Sequence, residues 1–197
     1  MNVLVVNSSG RTDQSVSRKL VAELVAELVA QHPGLRIAYR DVAAGIPCVD
    51  DVMISGLYIP QEQRTAEQRQ ALRLSDQLVG EVQAADILVI GAPIYNFGIP
   101  AALKAWFDQI VRAGLTFAFL ENGYTGLLHG KKVYLVVTSG AVEIGSSLDH
   151  ATPYLRLLLG FIGLTDVEII SAAQLSLFGE LPIGAAEDVI RHIHALA

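Results

Sequence analysis

The sequence predicts a doubly wound α/β fold, a five-stranded parallel sheet with helices on both faces. Three observations carry that expectation. Short, apolar, β-branched stretches alternate with segments of helical period. The strand-like stretches are apolar throughout, as strands covered on both faces must be. Three of them stop abruptly in loops of small, polar and aromatic residues, at Asn7, Gly91 and Thr138. With right-handed crossovers such strand ends share one crevice, the usual ligand position in an open parallel sheet.

Asn2–Asn7 reads as the first strand, bounded by Ser8-Ser9-Gly10. A helix is expected from about Ser15, with Leu20, Val21, Leu24, Val25, Leu28 and Val29 on one face and His32-Pro33-Gly34 as its stop. Leu35–Arg40 alternates more, as an edge strand would. Ala44–Thr65 reads as irregular because Gly45, Pro47, Gly56 and Pro60 interrupt it, yet it holds seven large apolar residues, which suggests a cover or a contact surface. A helix follows over Ala66–Gln83, then a strand over Asp86–Gly91. Pro100 is placed at the first position of the next helix, with Leu103, Trp106, Phe107, Ile110 and Val111 as its buried stripe and Gly114 as its end. Leu115–Leu120 reads as one arm of a hairpin turning at Glu121-Asn122-Gly123. The remaining elements are a strand at Lys132–Thr138, a helix at Thr152–Gly160, a strand at Val167–Ala172 and a final helix at Ala185–Leu196. No repeat or linker interrupts the chain, so residues 1–197 read as one domain.

Composition narrows the function. Of the 197 residues 52% are hydrophobic and the mean hydropathy is +0.43, consistent with two-sided burial and an additional subunit interface. A net charge of −6 argues against nucleic acid as a partner, since binding a phosphate backbone needs a basic face. Cys48 is the only cysteine, which leaves no internal disulfide and no multi-cysteine metal site. No secretory signal is visible, and no apolar run reaches the ~18 residues of a membrane span. A cytoplasmic location without membrane insertion is expected.

The chemistry lies in the loops. Ser8, Ser9, Thr12, Ser15 and Ser17 crowd the junction of the first strand and helix. A helix start offers unpaired N–H groups and a partial positive charge, and short hydroxyls let a phosphate approach them. Ser residues there also serve as plain helix caps, and Arg11 either adds a charge or sits in water. The loop Ala92-Pro93-Ile94-Tyr95-Asn96-Phe97-Gly98-Ile99-Pro100 sets two rings and an amide between prolines that stiffen it. That suits a flat heteroaromatic ring, with Asn96 able to donate and accept at its edge. Phosphate plus ring reads as flavin mononucleotide (FMN).

Other nucleotide signatures are absent. There is no G-x-x-x-x-G-K-[ST] and no G-x-G-x-x-G after the first strand. The first loop lacks the cysteine of low-molecular-weight phosphatases, and the strand ends lack the acidic residues of response-regulator receivers.

The segment PIYNFGIPAALKAWFDQIVRAGLTFAF resembles the signature of the FMN-dependent NADH azoreductase/quinone reductase family, P-M-Y-N-F…P…L-K-x-W-x-D…R-x-G-x-T-F. The S-S…S-x-S opening, ENGYTGLLHGKKVYLVVTSGA and TPYLRLLLGFIGLTDVE are similar to further stretches of that family, so the likeness spans essentially the whole chain. It implies a flavodoxin-like fold with bound FMN, reduced by NADH or NADPH, that passes electron pairs to quinones and aromatic azo compounds in a ping-pong cycle. It implies that Ser9, Ser15, Val16 and Ser17 hold the phosphate, that Pro93, Ile94, Tyr95, Asn96 and Phe97 lie along the ring, and that Ser139 and Gly140 approach it from the fourth strand. It also implies a homodimer, with Phe119 and Phe161 as candidate walls of the acceptor pocket. No acid, base or nucleophile is assigned, because the cofactor supplies the bond chemistry. The chain departs from the family pattern at Ile94, where methionine is usual. It also departs at Ser139-Gly140-Ala141-Val142-Glu143, which lacks the usual arginine and paired glycines. NADH and NADPH both stay open as donors. The alternatives are a related NADPH-preferring quinone or chromate reductase, a flavodoxin-type electron carrier, and a cofactor-free regulatory domain.

Overall fold

The computed structural model describes residues 1–193. Along the chain run β1 (Asn2–Asn7), α1 (Val16–Gln31), β2 (Arg36–Asp41), α2 (Asp51–Leu57), α3 (Ala66–Ala84), β3 (Ile87–Pro93) and α4 (Ala101–Ile110). They are followed by β4 (Phe117–Leu120), β5 (Gly123–Gly126), β6 (Lys132–Thr138), α5 (Thr152–Phe161), β7 (Asp166–Ala172), α6 (Leu175–Phe178) and α7 (Leu181–Arg191). Five strands form a parallel sheet in the order β2-β1-β3-β6-β7, and β4 and β5 pair separately as an antiparallel hairpin. The doubly wound five-stranded arrangement is the expected one. β2 lies at the sheet edge, where none of its residues is fully buried; the strict alternation expected of it is not seen.

The two-sided core follows from the period of a strand. In β1, Leu4 and Val6 point to one face and join Leu78, Val82, Trp106, Phe107, Leu155 and Leu159 of α3, α4 and α5. Val3 and Val5 point to the other and meet Leu20, Leu24 and Leu28 of α1 and Ile190 of α7. A slip of one residue would exchange these sets, so the register is strongly specified. β3 and β6 end level, Pro93 against Thr138, and β1 ends opposite Gly91.

Several boundaries differ from the sequence expectation. The stretch read as irregular contains α2, capped by Asp50, whose carboxylate accepts the Met53 N–H at 2.8 Å. Gly56 sits within that helix because a Cβ there would lie 3.1 Å from Leu72 Cδ1 and 3.2 Å from Gln68 Cβ of α3. It marks a close helix approach, not a break. Pro100 is the N-cap of α4, one residue before the first helical position. Gly114 lies beyond the end of α4; its φ of +77° turns the chain so that its N–H reaches Phe117 O at 2.7 Å and opens the hairpin. The hairpin arm begins at Phe117, since Leu115 and Thr116 fold back on Arg112 O. α6 was not foreseen. α7 starts at Leu181, with a proline in its first turn, and the expected end at Leu196 lies outside the described residues. Among the described residues no helix is long and apolar enough to cross a membrane.

Candidate functional site

A cleft of about 440 Å³ opens at the carboxyl ends of β1, β3 and β6, within the usual size for a small-molecule site. It is lined by Ser9, Ser15, Val16 and Ser17 from the first loop, Pro93, Ile94 and Tyr95 from the second, and Ser139 and Gly140 from the third. Three loops far apart in the sequence thus converge where the sequence placed them.

The first loop is built around the start of α1. Ser15 is the N-cap, and its Oγ accepts the Arg18 N–H at 3.4 Å. Lys19 N–H goes to Ser15 O at 3.0 Å, so the first-turn amides of Val16 and Ser17 have no intrahelical acceptor. Ser9, Ser15 and Ser17 are all buried, and the Oγ atoms of Ser15 and Ser17 lie 3.2 Å apart. Ser9 Oγ accepts the Arg11 N–H at 3.2 Å and lies 3.3 Å from Tyr95 Oη, which ties the first loop to the second. Ser8 does not join them: its hydroxyl donates to Gly91 O at 2.6 Å and pins β1 to β3. The result is a cluster of hydroxyls and free amides at the positive end of a helix, a donor set suited to a phosphate dianion.

The second loop is a two-residue turn. Tyr95 and Gly98 exchange both backbone hydrogen bonds, at 2.9 and 3.0 Å, while Asn96 and Phe97 take φ of +49° and +70°. Positive φ at both central residues is a type I′ turn, and a phenylalanine in that conformation is strained. Two bonds clamp it: Ile94 N–H to Thr138 O at 2.7 Å and His150 N–H to Phe97 O at 3.2 Å. Tyr95 and Phe97 are 41% and 50% exposed, so their rings are presented at the surface instead of filling the core. Asn96 and Phe97 extend beyond the cleft lining proper. Among the described residues four non-glycine positions have positive φ, namely Gln14, Asn96, Phe97 and Gln174. All four lie in the cleft wall or directly beside it, a placement typical of functional sites.

The third loop is anchored through Ser139. Its hydroxyl donates to Val142 O and accepts the Gln174 N–H at 3.1 Å, while Ser139 O and Gly140 O accept Leu175 N–H and Ser176 N–H at 3.1 and 2.7 Å. Ser139 therefore spends its side chain on tying α6 to the cleft. A Cβ on Gly140 would stand 3.0 Å from Ser176 Oγ, so the glycine permits that closeness. Leu175 and Ser176, together with Gln14 and Thr138, line the cleft and were not expected there. Further along the same loop Asp149 is buried and accepts N–H groups from Gly145, Ala151 and Thr152 at 3.0, 3.1 and 2.9 Å. Burial pushes its carboxyl up, but hydrogen bonds from Thr152, Gly145 and Ala151 outweigh that and hold it below the ordinary carboxylate value.

Phe119 and Phe161 lie apart from this cleft. Phe161 packs against Phe117 and Tyr124, at 4.6 and 4.4 Å between ring centroids, and Phe119 is 75% exposed on the hairpin. Phe119 borders a second cavity of about 660 Å³ with Tyr58, Arg64 and Arg112. It is the larger of the two, yet no strand of the five-stranded sheet lines it, whereas ligands of open α/β sheets sit at the strand ends. Among the described residues no group of His, Cys, Asp and Glu is arranged to hold a metal.

Sheet order, crossovers and a cleft at the carboxyl strand ends define the flavodoxin-like class, and the model of the flavodoxin-like fold family matches residues 1–194. The chain is 51% identical over 174 residues, 88% of either chain, to FMN-dependent NADH:quinone oxidoreductase 1 of Jannaschia sp. (strain CCS1). It is 49% identical over 194 residues to the FMN-dependent NADH:quinone oxidoreductase of Thiobacillus denitrificans, covering 98% of this chain and 93% of that one. The crystal structure of an azoreductase from Bacillus anthracis superposes with a TM-score of 0.87 at 27% identity, over 98% of this chain and all of the other. The chain belongs to the FMN-dependent NADH:quinone oxidoreductase family.

Proposed function

We propose that this protein binds FMN in the cleft and uses it to carry electron pairs from NADH to quinones and aromatic azo compounds. The observation that carries the reading is one cleft that joins a hydroxyl-lined helix start to a clamped turn presenting two rings. The residues fit the cofactor: buried hydroxyls and first-turn amides suit its phosphate, and the rigid turn suits its tricycle.

In this reading Ser9, Ser15, Val16 and Ser17 would hold the phosphate, residues 93–97 would lie along the ring, and Ser139-Gly140 would approach it from the end of β6. FMN supplies hydride acceptance and two-electron donation when bound. The chain's own part is to bind, orient and exclude water. The turn at Asn96-Phe97 cannot relax without breaking the Tyr95–Gly98 pair, so it presents its donors and acceptors pre-organised. Donor and acceptor would use the one cleft in turn, which would give ping-pong order. NADH is the donor suggested by the relatives' names, and NADPH is the competing donor to assay beside it. The exposed Phe119, Leu120 and Tyr124 of the hairpin support a homodimer; Phe119 and Phe161, which lie apart from the cleft of their own subunit, would help to wall an acceptor pocket only across that interface.

The test is a visible spectrum of purified protein after FMN loading and desalting, followed by NADH oxidation with and without a soluble quinone. Retained flavin bands and quinone-stimulated oxidation support the reading. Protein that stays colourless, or flavoprotein that turns over no small acceptor, overturns it.

A further inference from the structure

We infer that Arg18, held by Asp41, is a positioning residue that braces the phosphate loop from behind and does not itself meet the anion. The inference rests on the reading of the cleft as an FMN site. Arg18 follows Ser17 by one position on α1, which turns it about 100° around the helix and away from the cleft. Its guanidinium donates from Nε to Arg11 O at 2.9 Å and from Nη2 to Ser9 O at 2.8 Å. Nη1 and Nη2 donate to the two carboxylate oxygens of Asp41 at 2.7 and 3.0 Å. One planar group thus engages two loop carbonyls and a bidentate carboxylate together.

The effect on the cleft is electrostatic and geometric. A loop that receives a dianion must turn its N–H groups inward and its carbonyl oxygens outward, because an inward carbonyl repels the phosphate. Ser9 and Arg11 flank the tip of the loop, and their carbonyls are the two that Arg18 captures. With these held outward, Ser9 Oγ stays in place to accept the Arg11 N–H and to meet Tyr95 Oη. The Arg18 charge is spent on Asp41, whose carboxyl the Arg18 hydrogen bonds hold below its ordinary value. Asp41 is fixed in turn at the end of β2, where it accepts the Ala43 N–H at 3.1 Å. A lysine reproduces the charge but not the fork: a single ammonium does not span two carbonyls and a carboxylate.

The distinguishing measurement is affinity for FMN against riboflavin, which carries the same ring without the phosphate. Apo-protein of the wild type, Arg18→Met, Arg18→Lys and Asp41→Asn is titrated with each flavin by fluorescence quenching. In both Arg18 variants the FMN Kd is expected to rise about tenfold or more, while the riboflavin Kd stays within about twofold of wild type. Asp41→Asn, which keeps Arg18 and loosens its anchor, is expected to raise the FMN Kd alone by about threefold, and it carries the test if the Arg18 variants do not fold. Wild-type FMN affinity in Arg18→Lys overturns the brace in favour of a simple charge. Equal weakening for FMN and riboflavin overturns it in favour of general fold support. Wild-type protein that does not prefer FMN to riboflavin removes the phosphate reading itself, and this inference with it.

Discussion

Replacing Phe97 by glycine and by alanine isolates the backbone demand of the second loop. Both substitutions delete the same half-exposed ring, so that loss cancels between them. They differ in the Cβ alone, at a residue with φ of +70°. A left-handed conformation costs an L-residue about 1–2 kcal/mol, which glycine avoids. Against this, glycine loses about 0.4–1 kcal/mol more than alanine through the freedom of its unfolded chain. The balance favours Phe97→Gly by about 1 kcal/mol, the reverse of the usual order inside regular structure. For a chain of this size that separates the melting temperatures by about 2–4 °C. Differential scanning calorimetry of the two apo-proteins reads it. Alanine melting at or above glycine would show that the turn is not held left-handed, and the case for a strained, pre-organised ring shelf would fall.

Three further outcomes follow from the packing and charges around the site. Gly126→Ala drives a Cβ to 2.1 Å from Gly163 N and 2.4 Å from Ile162 C, backbone atoms that cannot rotate away, so the hairpin must lift from the end of α5. A loss of about 2 kcal/mol or more in denaturant unfolding is expected, and a loss below about 0.5 contradicts the close approach. Asp149→Ala removes the acceptor at the start of α5 and costs about 1 kcal/mol near neutral pH. Because the folded carboxyl titrates below its ordinary 3.8, that contribution is present above about pH 4 and disappears as acid drives the pH through the folded value. Melting curves of the two proteins should therefore converge at low pH, and a difference that persists unchanged in acid contradicts the assignment. Ser139→Ala frees Gln174 N–H and Val142 O; hydrogen exchange should quicken at residues 174–176 while the amides of β6 stay protected.

Much of this architecture was legible because strand burial and helix period are local signals. The apolar run of β1, the i, i+3, i+4 stripe of α1 and the proline ahead of α4 each point to one element. The convergence of Ser15, Tyr95 and Gly140 was also readable, since parallel strands put their carboxyl ends together. What escaped depends on contacts distant in sequence. Gly56 looked like a breaker until Leu72 and Gln68 are seen packed against it. Leu175 and Ser176 are tied to the cleft through Ser139 and Gly140, partners about 35 residues away that no periodicity announces. Arg18 and Asp41 lie on different elements, and nothing in the local sequence pairs them. Thr138 had a usable signal as the last residue of a buried strand. The hydroxyl count in the first loop overstated the donors, because Ser8 is committed to Gly91 O.

The redox function depends most directly on how firmly the helix start holds the phosphate of FMN. The measurement is the flavin retained after loading and exhaustive desalting by wild type and by Ser15→Ala/Ser17→Ala, with folding of each verified by circular dichroism. Two buried hydroxyls are lost there, so the double variant should release FMN at least about tenfold more readily while its riboflavin affinity hardly changes. Equal retention by two well-folded proteins would contradict the phosphate site and the redox function built on it.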